Sequence, residues 1–318
     1  MKMVRTALVV LLALAAGGCT FLNKFRPVNR TVTRMTGPTG WYRVTPLLGI
    51  DLKGNATIPP RDPLLVEEGE DEPAEQPDDD DYDEGTPLIE RVAARFDRQL
   101  SPLIVTSDVP CPYLTYSDEP GRPVYILVHG IRGPGSEWWP VVATLNTSNP
   151  AGIFLFRWNV TQHRTEIIDS LVTGINRIVA CHPHGNPVVL AHSAGGVVIA
   201  YAVSRLNVAP DQELDVFTVA SPLSGVGLHE KAEDEDGENR FLKDLGATKK
   251  GFPAAAANVR VIHYRTHFPG DPSMEPRFKK HQPNKSGVGV KGATEVDLPE
   301  NLTHDGSLLF IARRMLGH

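Results

Sequence analysis

The stretch Val188-Val189-Leu190-Ala191-His192-Ser193-Ala194-Gly195-Gly196-Val197-Val198-Ile199-Ala200 decides the fold of this chain. A short apolar run ends in a small residue, passes through His and Ser, and reopens as a longer apolar run behind Gly195-Gly196. The first run has the length of a buried strand, Val188–Ala191; the second, from Gly195 to Leu206, reads as a helix. A strand that feeds a helix through small-x-Ser-x-Gly makes a turn so tight that the serine backbone is strained. Only small residues two before and two after it avoid a clash. The strain lifts the hydroxyl above the sheet, and the positive end of the helix favours negative charge that develops there. Ala191 stands where glycine is commoner, which sterics allow. The plainer alternative makes Ser193 a helix-capping serine. His192, next in the chain, reads as a neighbour of this turn and not as its base.

Working outward, short apolar runs alternate with segments of helical period from about residue 87. Val124–Val128, Ile153–Trp158, Val216–Ala220 and Val259–Tyr264 are predicted strands. Ile167–Ala180 and Leu308–Leu316 are predicted helices. Alternation of this kind predicts parallel strands joined by crossover helices. Pro102–Thr106 and Pro112–Thr115 are predicted as antiparallel edge strands before them.

The strand–Ser193–helix unit resembles the α/β-hydrolase superfamily, most closely its lipase and esterase branches, over roughly Arg122 to His318. The resemblance implies an α/β-hydrolase fold: a doubly wound, mostly parallel sheet with flanking helices and a possible cap insertion. It also implies three further elements. Leu127-Val128-His129-Gly130-Ile131-Arg132-Gly133 matches a strand that ends in His-Gly. The N–H groups of Ile131 and Ala194 would form the oxyanion hole, with His129 structural. An acid should follow a later strand, and Asp271 lies in the Gly/Pro turn after Val259–Tyr264, with Glu275 a near competitor and Asp297 a distant one. A histidine should lie near the last helix; His304 fits best, ahead of His281 and His318. The implied triad is Ser193–His304–Asp271, in the chain order Ser, acid, His. The segment Val219-Ala220-Ser221-Pro222-Leu223-Ser224-Gly225 resembles a lipase strand end. The charged insertion at about 227–253 after it is either a lid or a solvated excursion.

The N-terminal residues read differently. Lys2 and Arg5 precede the apolar run Ala7–Ala16, which is shorter than the roughly 18 residues a spanning helix needs. Ala16-Gly17-Gly18-Cys19 resembles a bacterial lipobox, so residues 1–18 are expected to leave as a signal peptide and Cys19 to carry lipid. Residues 19–86 are expected to be an anchored extension with an acidic linker, and 87–318 the hydrolase domain. Export to the cell envelope follows, on the periplasmic or the surface side. Cys111 and Cys181 either pair once in that compartment or remain thiols.

The net charge of −6 is not spread evenly, because Glu67–Glu84 holds 12 of the 38 acidic residues. Such a tract cannot bury apolar surface and reads as an extended spacer lifting the domain off a membrane. Calcium binding would want a glycine turn and spaced ligands that the tract lacks. The remaining body is mildly basic without an aromatic-laced basic stripe, which excludes a nucleic-acid binder. Neither a metal-ligand constellation nor a phosphate-cradling glycine loop appears, so no cofactor is expected. The cations Arg277, Lys279, Lys280, Lys285 and Lys291 are either a head-group patch or a solvated loop.

These readings predict a serine hydrolase acting on acyl-ester or lipid substrates. An acyltransferase or thioesterase would use the same parts. A non-catalytic envelope lipoprotein binding lipid or a partner protein, or an adhesin working through the acidic tract, are the alternatives of other classes. Sequence does not set the oligomeric state.

Overall fold

The computed structural model describes residues 39–44, 100–103, 105, 110–115, 119–130, 138–159, 162–223, 251–267 and 289–317. Among them, eight strands form one sheet: β1 (Gly40–Val44), β2 (Leu100–Leu103), β3 (Pro123–Val128), β4 (Gly152–Arg157), β5 (Asn186–His192), β6 (Leu214–Val219), β7 (Val259–Arg265) and β8 (Thr294–Asp297). Four α-helices accompany them: α1 (Trp139–Asn146), α2 (Arg164–Ala180), α3 (Ala194–Ala202) and α4 (His304–Met315). The spatial order is β2-β1-β4-β3-β5-β6-β7-β8. β1 runs antiparallel to both of its neighbours, and β3 through β8 are parallel.

Helices cover both faces, which is why the central strands are apolar on every residue and not on alternate ones. Along β3, Val124, Ile126 and Val128 enter the core under α2 and α3, while Tyr125 and Leu127 enter the core under α1 and α4. β4 divides the same way, with Phe154 and Phe156 on the first side and Ile153 and Leu155 on the second. The chain steps from β3 to β4, then crosses back over β3 to reach β5. The helices after β3 and β5 consequently lie on opposite faces, and a crevice opens between these two strands at their carboxyl ends. In open α/β sheets ligands bind at such a switch point.

Three sequence expectations change. Pro112–Thr115 is not a strand: Cys111–Leu114 forms a 3-10 turn with Pro in its first positions. Proline has no N–H to give to a strand ladder. The last helix begins at His304, four residues earlier than its apolar period indicates. The third concerns the expected domain boundary at 87, because β1 belongs to the sheet although it precedes that boundary. Trp41 fixes it there. Its ring lies 5.0 Å from Phe156 on β4, its indole N–H donates to the Ser170 carbonyl at 3.2 Å, and a Cβ at Gly174 would fall 2.1 Å from it. In sequence the acidic tract therefore falls between two strands that pair with each other, β1 and β2, and itself lies outside the described residues.

Cys111 and Cys181 are joined, with Cα atoms 5.1 Å apart and a sequence separation of 70. The bond ties the 3-10 turn to the end of α2. Closing a loop of that length stabilises by about 4 kcal/mol through the entropy of the unfolded chain. Replacing both cysteines by serine is expected to lower Tm by roughly 10 °C, read by calorimetry at pH 7.

Candidate active site

Ser193 stands between β5 and α3 with φ 52° and ψ −125°. A side chain with a Cβ adopts this backbone only under strain, about 1–3 kcal/mol, and the surrounding packing holds it. The Ser193 N–H donates to the Val219 carbonyl at the end of β6, 2.9 Å away. The next strand shows a similar turn, with Ala220 at φ 48° and its N–H on the Tyr264 carbonyl at 2.9 Å. The Ser193 side chain makes no capping hydrogen bond to α3, which removes the helix-cap reading. It is half-exposed, while His192 before it and Ala194 after it are buried.

Two glycines set how closely this turn approaches β3. A Cβ at Gly195 would lie 2.4 Å from the His129 carbonyl oxygen and 2.5 Å from that of Val128. One at Gly130 would lie 3.0 Å from the Ser193 Cβ and 3.5 Å from its Oγ. The start of α3 therefore rests on the exit of β3, and the His129-Gly130 turn sits against the serine. Ala194, the first residue of α3, has a main-chain N–H at the open end of that helix, where backbone donors have no intrahelical partner.

His129 is completely buried. Its Nε2 accepts the Trp158 main-chain N–H at 3.0 Å, which leaves the proton on Nδ1 to donate to the Gly130 carbonyl at 2.5 Å. The Trp158 indole N–H returns to the His129 carbonyl at 2.9 Å. These bonds hold His129-Gly130 beside the serine and make His129 structural, as the resemblance implied. Burial pushes its imidazole down to about 4, with the Arg157 charge adding to the shift and the Gly130 bond opposing it. His263 on β7, bonded to Thr218 Oγ1 at 2.8 Å, is likewise pushed down to about 4 by burial.

Both histidines are neutral in the folded protein, whereas the unfolded chain protonates them near pH 6.5. Between those values the unfolded state binds more protons, so stability falls as pH drops below about 6.5 and this contribution levels off near 4. Going from pH 7 to 5.5 should cost about 1 kcal/mol for each histidine, measured as a fall in urea midpoint. His263→Gln, which keeps a partner for Thr218, should make that fall shallower.

His304 is the first residue of α4. Thr303 caps the helix by accepting the Gly306 N–H at 3.0 Å. The His304 carbonyl accepts from Ser307 Oγ at 2.5 Å and from His192 Nε2 at 3.2 Å, and the two imidazole rings lie 4.4 Å apart. His192 directly precedes Ser193, so the fold brings the C-terminal histidine onto the serine turn across 112 residues of sequence. Sequence placed His192 only as a neighbour; its contact with His304 has no sequence signal. Trp158 is the other supporting residue that sequence did not single out.

Ile131, Asp271, Glu275 and Cys19 lie outside the described residues, as does most of the 227–253 insertion. Asp297, the distant competitor for the acid, ends β8 and is held by Arg265 at 2.6 Å and by His267 Nε2 at 2.7 Å. The His267 bond is the chief cause of a carboxyl held below its usual range, with Arg265 adding to it. Among the described residues, no group of His, Cys, Asp and Glu is arranged to hold a metal ion.

No known family model matches the chain, and no curated protein matches it. Solved structures similar to it include a Bacillus licheniformis lipase in mature form: 14% identity, covering 63% of this chain and 94% of that one, TM-score 0.44. The esterase domain of a Rhodothermus marinus protein shows 12% identity over 69% and 92% of the two chains, TM-score 0.35. A pyrethroid hydrolase from Sphingobium faniae shows 14% identity over 61% and 96%, TM-score 0.35. Likeness at that level adds nothing to what the chain's own topology carries. A mostly parallel sheet wound on both faces, with a strained serine turn at its switch point between β5 and α3, has the α/β-hydrolase fold.

Proposed function

We propose that this chain is a serine hydrolase of carboxylic esters, lipase- or esterase-like, that works through an acyl-serine intermediate at the cell envelope. The observation that carries the reading is the Ser193 backbone, strained at φ 52° on a strand-to-helix turn with Gly130 against its side chain.

Ser193 Oγ attacks the ester carbonyl carbon and passes its proton to His304. The carbonyl oxygen becomes an oxyanion that the N–H groups of Ala194 and Ile131 receive. Collapse of this adduct breaks the bond to the alcohol oxygen, which leaves with the proton from His304. Water then attacks the acyl-serine, again giving a proton to His304, and the acid departs as Ser193 recovers its hydrogen. Asp271 holds the His304 tautomer and stabilises its charged form. Asp271→Asn should lower kcat about 10⁴-fold. Asp297→Asn should change kcat little, because its partners are Arg265 and His267.

An exported chain with Cys19 lipidated after loss of residues 1–18 completes the proposal. The Cys111–Cys181 disulfide supports it, since such bonds persist in oxidising compartments. The test is a p-nitrophenyl ester series, acetate to palmitate, together with a fluorophosphonate probe. Turnover and labelling at Ser193 are expected, and the chain-length optimum separates esterase from lipase. Failure of both would remove the hydrolase reading in favour of a non-catalytic scaffold that binds lipid or a partner.

A further inference from the structure

We infer that the edge of the sheet bearing Ser193 faces the membrane that holds the anchor, so that the site takes acyl esters from that bilayer surface, while the connection carrying the acidic tract is rooted at the opposite edge. The inference rests on the lipid anchor and hydrolase activity proposed above, and its geometric part comes from strand directions. β1 is antiparallel to β4, with Gly40 beside Arg157 and Arg43 beside Phe154. The chain thus enters the sheet at the carboxyl ends of the parallel strands. Thr39 Oγ1 accepts the Asn159 N–H at 2.8 Å there. The adjoining Trp158 is bonded to His129, whose neighbour Gly130 lies against Ser193.

β1 is three strands from β5 in the sheet order, about 14 Å at the usual strand spacing. Residues 20–39 separate Cys19 from β1. A free coil of that length has an r.m.s. span of about 25 Å, against about 45 Å for the width of a domain this size. An anchor at Cys19 therefore favours the edge where the tether is rooted.

The other edge carries the opposite signal. Val44 pairs with Leu100, so residues 45–99 leave and re-enter the sheet at the amino ends of the parallel strands. That connection carries the 12 acidic residues of Glu67–Glu84. A membrane surface bearing anionic lipid repels such a tract within about a Debye length. Tether and polyanion, rooted at opposite edges, turn the molecule the same way.

The test uses the lipidated chain purified with its anchor and reconstituted into vesicles of phosphatidylethanolamine and phosphatidylglycerol. Flotation with the vesicles checks the anchor; a chain that does not float overturns the inference together with the anchor. A donor dye is placed on Glu300→Cys, exposed on the Ser193 edge, or on Asp211→Cys, exposed on the opposite edge, with an acceptor dye on the lipid. Greater loss of donor emission from position 300 is expected. Equal or greater loss from position 211 overturns the inference, whatever the enzyme activity. In a second arm the chain from residue 20 is held to nickel-chelating vesicles by a histidine tag, either at residue 20 or in place of residues 67–84. The first form should cleave a bilayer-embedded fluorogenic ester on the order of tenfold faster, with equal rates on a soluble ester. Equal rates on the bilayer ester would overturn the orientation. No turnover of either ester would overturn the hydrolase reading and leave the dye measurement to decide orientation alone.

Discussion

Ser193→Ala is expected to lower kcat/KM for a p-nitrophenyl ester by at least about 10⁴-fold, and to do so without loosening the fold. The magnitude follows from the chemistry. Removing the nucleophile of an acyl-transfer site leaves only the oxyanion donors and substrate binding, worth roughly 10³–10⁴ over water. Stability should barely change, because the Ser193 hydroxyl makes no capping bond to α3 and the Ser193 main-chain bond to Val219 survives in alanine. A cooperative urea transition within about 0.5 kcal/mol of wild type would show this. Residual activity above one-hundredth of wild type would remove Ser193 from the chemistry. His304→Ala should reach a similar floor, since nucleophile and base act as one unit, and the double variant should be scarcely worse than either single one.

That turn was legible because every signal for it is local. The apolar run Val188-Val189-Leu190, a small residue two before the serine and two glycines after it sit within nine positions, Val188–Gly196. β3 and β4 were legible for the same reason, since strands buried on both faces stay apolar along almost their whole length, and β6 and β7 keep enough apolar residues around Asp215 and Arg260 to read as strands. β1 was not. Gly40–Val44 owes its place to Trp41 packing on Phe156 and Gly174, residues more than a hundred positions away. β8, Thr-Glu-Val-Asp, is a half-exposed edge strand of four residues with too little pattern to read. α1 begins at Trp139-Pro140 with proline in its first turn, and Trp138 at its N-cap makes no side-chain capping bond. The disulfide depends on a Cα separation that only the folded chain provides. The start of α4 at His304 is set by Thr303 as a cap, a local signal that the apolar period of the helix does not carry.

Gly195→Ala should have the largest effect on stability among single substitutions near the site, and it tests whether the serine turn and β3 are one unit. The added methyl would meet two main-chain oxygens, those of His129 and Val128, at 2.4 and 2.5 Å. Neither can swing aside as a side-chain tip would. The Val128 oxygen ends a strand hydrogen-bonded on both sides, to β4 and β5, and His129 is fixed by Trp158 through two bonds. Relief must come from α3 moving off the sheet, which costs about 3 kcal/mol, the upper range for inserting a methylene in a packed interior. Because α3 carries the Ala194 N–H and follows directly on Ser193, the same shift should lower kcat at least about 100-fold, the usual consequence of displacing reacting groups by roughly 1 Å. Gly40→Ala is the control, since no atom lies within 4 Å of a Cβ there. It should stay within about 0.5 kcal/mol of wild type and keep full activity. A Gly195→Ala protein as stable as the control would mean that α3 can lift from β3 freely. The contact between Gly130 and Ser193 would then not be what positions the nucleophile.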